Sequence, residues 1–72
     1  MNILFNGESM EWDHAHAHDL AALVAVKCEQ LMLSPERVVV AVNQQFIPMA
    51  EHETYFLEDG DSVEMLTAVV GG

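Results

Sequence analysis

One stretch sets the limits on the fold. From Asp19 onward Leu20, Leu23, Val24, Lys27, Cys28 and Leu31 recur at i, i+3, i+4, i+7, i+8 and i+11. That is the spacing of one helical face. Ala21, Ala22 and Ala25 fill its flanks with strong helix formers. Lys27 alone breaks the apolar stripe, and its long stem can carry the ammonium from the rim to water. Ser34-Pro35 closes the helical region, because the residue before proline is pushed out of the α conformation. Everything with β character lies on either side of this one helix, so the pattern predicts a single helix packed across one face of a sheet.

Before the helix, Ile3-Leu4-Phe5 is a compact apolar run, which predicts a first strand buried on both faces. Asn6-Gly7 follows directly, and both residues accept the positive φ that a tight type I′ hairpin requires. The return strand spans Glu8 to Asp13, with Met10 and Trp12 alternating against Ser9, Glu11 and Asp13. After the helix, Val38 to Val42 is apolar and mostly β-branched, a strong strand signal. Asn43-Gln44-Gln45 then reads as a polar turn into the short strand Phe46-Ile47-Pro48. Pro48 cannot donate to a ladder, so that strand lies at an edge or stops there. Met49 to Leu57 has no clean period; Tyr55, Phe56 and Leu57 are expected to anchor a short 3₁₀ or irregular segment. Glu58-Asp59-Gly60-Asp61 is a turn, and Val63 to Val70 is the last strand. Strands around one helix give an α+β arrangement. A right-handed crossover through the helix would set the third strand parallel to a member of the first pair.

The bulk properties narrow the function. Seventy-two residues make one domain, 1–72, near the lower limit for a chain that folds alone. Cys28 is the single cysteine, so no internal disulfide or cysteine-based zinc site can staple it. The core must come from side chains, which 51% hydrophobic content permits. Two basic residues, Lys27 and Arg37, stand against twelve acidic ones for a formal charge of −10. Such a balance repels phosphate backbones and anionic membranes, and it suits steering onto a basic protein partner. The opening residues carry no basic leader or long apolar core, and the Leu20–Leu33 stretch is too short and too polar to cross a bilayer. Together with the lone cysteine this predicts a cytoplasmic protein.

The chain ends in Gly71-Gly72, two residues without side chains after the run Val63 to Val70. Glycine lets another protein's surface come close to the main chain, which is what a terminus entering a narrow slot needs. Gly71-Gly72 therefore reads as a functional tail, with a frayed end as the plainer alternative. Gly71, Val70, Val69, Ala68, Leu66 and Phe46 are expected to form the apolar part of a partner-binding surface. Glu58, Asp59, Asp61 and Glu64 are read either as its charged rim or as a solvated turn.

Other features are weighed against plainer readings. His14, His16 and His18 would line one face of an extended segment about 6.6–6.8 Å apart, and in a helix His14 and His18 would share a face. They suit weak metal binding at most, or simply an exposed entry to the helix. His52 is isolated and carries no signal. Cys28 sits on the apolar stripe and reads as a small core residue, with sulfur handling as the alternative. There is no phosphate loop, no nucleophile–base pair and no paired carboxylates, so the chain reads as a carrier or binding module, not an enzyme.

The order of motifs is similar to a known family. The Asn6-Gly7 hairpin, Val40-Ala41-Val42-Asn43 followed by Pro48, and Asp59-Gly60-Asp61-Ser62-Val63-Glu64 leading to Val70-Gly71-Gly72 resemble the ThiS-type sulfur carriers of thiamine biosynthesis, over nearly the whole chain. The resemblance implies a ubiquitin-like β-grasp fold, a mixed sheet of four to five strands with the last strand central and its tail projecting. It implies a ThiF-type adenylyltransferase that activates Gly72 with ATP and magnesium, a sulfur donor protein, and a ThiG-type thiazole synthase that takes sulfur from a C-terminal thiocarboxylate. No cofactor is expected on the chain itself. Met49 stands where such carriers commonly have a basic residue, and the helix cap falls somewhere in Asp13–Asp19, where they usually have threonine or serine. Two alternatives stay open: the small subunit of molybdopterin synthase, against which the immediate Asn6-Gly7 turn argues, and a ubiquitin-like interaction module without carrier chemistry.

Overall fold

The computed structural model describes residues 1–12 and 18–67. Its elements are β1 (Asn2–Phe5), β2 (Glu8–Glu11), α1 (Leu20–Leu31), a 3₁₀ turn at Pro35–Arg37, β3 (Val38–Val42), β4 (Gln45–Ile47), a 3₁₀ turn at Met49–Glu51 and β5 (Ser62–Thr67). The strands form one sheet in the order β2-β1-β5-β3-β4. β5 is central, parallel to β1 and antiparallel to β3. β3 does run the same way as one member of the first pair, β2, but two strands separate them.

Both hairpins are two-residue turns with positive φ at each central position. Asn6 and Gly7 have φ of 49° and 84°, Asn43 and Gln44 of 51° and 68°. Such turns twist in the same sense as the strands they join. Gln45, assigned to the turn by its polarity, is instead the first residue of β4, facing Val42. Pro48 follows β4 at the sheet edge, as its missing donor requires.

The helix lays Leu20, Leu23, Val24 and Cys28 against the inner face of the sheet. There they meet Ile3, Phe5, Val40, Val42, Ile47, Val63 and Met65. Leu31, the last position of the stripe, is 52% exposed and lies beyond the core. Lys27 sets its ammonium 4.8 Å from the centre of the Phe5 ring, so the stem leads to an aromatic face as well as to the rim. Burial of the Cys28 side chain pushes its thiol pKa up, which leaves the sulfur a core group and a poor nucleophile.

Asp19 supplies the N-cap, its carboxylate accepting from the Ala22 N–H at 3.2 Å. The Tyr55 and His52 carbonyls take the Leu20 and Ala21 N–H groups at 2.8 and 3.1 Å, so the loop before β5 also caps the helix. At the other end the chain leaves the helix before Ser34-Pro35. Met32 adopts the left-handed conformation, and the Leu33 N–H returns to the Cys28 carbonyl at 2.8 Å. Glycine normally occupies that position, and the Met32 side chain is 93% exposed, so it contributes little packing in return. Met32→Gly is expected to raise stability by about 1 kcal/mol, measurable as a higher denaturation midpoint in urea.

Three expectations need correction. β1 is buried on one face only: Ile3 and Phe5 point to the helix while Leu4 is 42% exposed, because one helix covers just one side of the sheet. Phe56 is 66% exposed and does not anchor its loop; Leu57, and Tyr55 in part, do so. His52 is buried at 5% exposure, with its Nε2 hydrogen-bonded to the Ile47 carbonyl at 2.9 Å.

Candidate functional site

With the helix on one side, alternation along each strand turns every second residue to the open side. β5 sends Glu64 and Leu66 outward, β3 sends Val39 and Ala41, β4 sends Phe46 and β1 sends Leu4. The register assembles them: Phe46, Ala41 and Glu64 form a row across three strands, with Val39 and Leu66 in the next row. Leu66 is 65% and Phe46 60% exposed. A contiguous exposed apolar patch with a charge beside it is the usual form of a protein-binding surface. The structure thus brings together Phe46, Leu66 and Glu64 of the residues proposed from sequence. It adds Leu4, which sequence reasoning put in a strand buried on both faces, and Val39 and Ala41, which it read only as strand residues.

Glu58, Asp59 and Asp61 lie elsewhere. They precede Ser62, at the head of β5, whereas the strand runs on to Thr67. A rise of about 3.3 Å per residue puts roughly 17 Å between those ends. Two of the three carboxylates hold the loop together. Asp59 Oδ1 accepts from the Asn2 N–H at 2.6 Å, and Asp61 accepts from the Glu58 N–H at 2.8 Å and from Asn43 Nδ2 at 3.0 Å. They form an internal brace at the head of β5, at the opposite end of the strand from Thr67.

Sequence reasoning also missed the second task of the two hairpin asparagines. Asn6 Oδ1 accepts from the Met65 N–H at 2.8 Å and Nδ2 donates to the Met65 carbonyl at 3.3 Å. Its amide thereby continues the β1–β5 ladder where the β1 backbone has turned away. Asn43 does the matching work from the other flank at the head of β5, its Oδ1 accepting from the Ser62 N–H at 3.0 Å. β5 is clasped on both sides.

Ala68, Val69, Val70, Gly71 and Gly72 lie outside the described residues, as do Asp13, His14 and His16. His18 is exposed, and its backbone carbonyl accepts from the Leu57 N–H at 2.8 Å. Among the described residues no group of three or more histidine, cysteine or acidic side chains is placed to hold a metal ion. Among them, too, no helix is long and apolar enough to cross a membrane.

Known proteins resemble this arrangement in sequence and in shape. Residues 3–72 match the ThiS family. The sulfur carrier protein ThiS of Escherichia coli K12 is 29% identical over 73 residues, covering all of both chains. The crystal structure of the thiamine biosynthesis protein ThiS from Geobacter metallireducens superposes with a TM-score of 0.78, at 30% identity and with both chains fully covered. A ubiquitin-like protein from the archaeon Caldiarchaeum subterraneum shares the fold at 22% identity and a TM-score of 0.56, over 99% of this chain and all of that one. The fold is therefore the ubiquitin-like β-grasp, with one helix on a five-stranded mixed sheet. A family match across almost the whole sequence, together with a solved relative of the same architecture, makes this chain a member of the ThiS family.

Proposed function

We propose that the chain is a sulfur carrier of thiamine biosynthesis, a cytoplasmic single domain that enzymes act upon and that does no catalysis itself. The observation that carries the reading is the position of β5. The central strand β5 ends at Thr67 in the middle of the sheet, with Leu66 on the open apolar face, and the sequence then runs on to Gly71-Gly72. The full-length match to a sulfur carrier supports the same role for the terminus.

A free α-carboxylate is ionised at neutral pH but is a poor electrophile. On a ThiF-type adenylyltransferase, one Gly72 carboxylate oxygen attacks the α-phosphorus of ATP, with magnesium neutralising phosphate charge, and pyrophosphate leaves. Sulfur supplied at the sulfide level by a donor protein then attacks the carbonyl, the C–S bond forming as the C–O bond to AMP breaks, and loss of the S–H proton leaves the thiocarboxylate that a ThiG-type thiazole synthase consumes. The open face, with Leu66 and Glu64 on its central strand and Phe46 on its edge strand, docks the partner, while Ala68, Val69, Val70 and Gly71 enter its slot. The formal charge of −10 favours a mainly basic partner surface and an association rate that falls with salt.

Intact-mass analysis of the protein taken from its native cell tests this. The expected species carries one sulfur in place of one oxygen, and tandem fragmentation places it on Gly72. A terminus that is always an ordinary carboxylate, even in cells making thiamine without an external supply, would refute the proposal.

A further inference from the structure

Arg37 is an anomaly of charge. It is one of two basic residues in the sequence against twelve acidic ones. Among the described residues the one ion pair joins the Met1 ammonium to Glu11, at 3.2 Å. Arg37 thus has no carboxylate within 4 Å there, although Glu36 lines the same groove. The other cation, Lys27, is placed over the Phe5 ring. Arg37 is exposed at the end of the Pro35–Arg37 turn, with its N–H bound to the Ser34 carbonyl at 2.9 Å. The next residue, Val38, pairs with Thr67, the last described residue of β5. A groove of about 580 Å³ opens there, lined by Met32, Leu33, Ser34, Glu36, Arg37 and Thr67.

Resting on the proposed carrier role, we propose that Arg37 binds an acidic side chain at the mouth of the adenylating enzyme's tail slot and so fixes the orientation in which the carrier docks. Charge complementarity argues for an anion: a planar guanidinium prefers a carboxylate or phosphate that it can grip with two N–H groups. Distance decides which anion. The five residues after Thr67, drawn out in full, reach about 17 Å. A guanidinium at the root of that tail meets the lip of the slot, far from the nucleotide phosphates at its end. In so acidic a body, a cation with no carboxylate within 4 Å among the described residues distinguishes one orientation from its alternatives, since the wrong ones set like charges together.

The test is steady-state adenylation of the full-length carrier by its cognate enzyme, read by ATP–pyrophosphate exchange. Arg37→Ala is expected to raise KM for the carrier on the order of tenfold with kcat nearly unchanged. Arg37→Glu raises it further and Arg37→Lys recovers most of the loss. An acidic-to-basic change at the slot mouth that restores Arg37→Glu would identify the partner side chain. The proposal is overturned if carrier KM is the same in the Ala and Glu variants. A rise in KM for ATP instead would place the guanidinium on the nucleotide and overturn it too. So would an equal rise in Lys27→Met, which would show that net charge, not position, is at work. A wild-type chain that is not adenylated at all would instead count against the carrier role itself.

Discussion

Deleting Gly72, or replacing it with valine, is expected to reduce thiocarboxylate formation by a hundredfold or more while leaving the melting transition in place. The two halves of this expectation have separate causes. The buried apolar residues of the described chain all lie between Ile3 and Met65, and Gly72 has no side chain to add to them. The proposed chemistry draws everything from it. In that mechanism a β-branched side chain beside the reacting carbonyl crowds the attacking sulfur, and deletion withdraws the carbonyl from the depth at which the proposed adenylating partner would hold ATP. Paired measurements of thiocarboxylate by intact mass and of melting by circular dichroism check both halves. If the truncated protein still becomes sulfur-loaded, the reacting group is not the Gly72 carboxylate. If partner binding survives deletion but wild type is never loaded, the ubiquitin-like interaction module is the better description.

Leu23→Ala is expected to cost about 3 kcal/mol. Leu23 is wholly buried, in the middle of α1. Alanine is the better helix former, so propensity opposes the loss and packing alone accounts for it. A domain of 72 residues has roughly 4–11 kcal/mol of stability in all. No disulfide supplements it, since the only cysteine is free and buried. The substitution therefore removes a quarter or more of the total, and a fall of about 15 °C in melting temperature follows for a domain this small. Urea denaturation gives the direct reading: the midpoint drops while the slope stays constant. The same change at Leu31, which is 52% exposed, is expected to cost less than 1 kcal/mol.

That contrast shows where the sequence was a sufficient guide. The helical stripe is a local, periodic signal, and so are the Asn6-Gly7 turn and the Pro48 stop; each needs only a few neighbouring residues to be read. What escaped depends on residues far apart in the chain. Ile3-Leu4-Phe5 looks the same whether one face or both are covered, and only the presence of a single helix decides it. His52 has no periodic neighbours, yet the fold places it beneath the helix N-terminus, where its ring reaches Ile47 and its carbonyl caps Ala21. The grip of Asn6 on Met65 spans 59 positions. No window along the sequence contains both partners. The functional assignment relied on order and resemblance for a similar reason: a strand that ends in two glycines gains meaning only once it is known to be the middle one.

An enzyme that draws the tail into a slot hauls on Thr67 along the axis of β5. Neighbours flank that strand on both sides, parallel β1 and antiparallel β3, and asparagine amides lengthen the grip at each flank. The cross-links run largely sideways to the pull, so they are loaded in shear and share the tension. A tail borne on the outermost strand would have a ladder on one side only, so fewer cross-links would carry the same pull. A chain with the proposed role can thus surrender its end to successive enzymes without unravelling, as a tether used many times must.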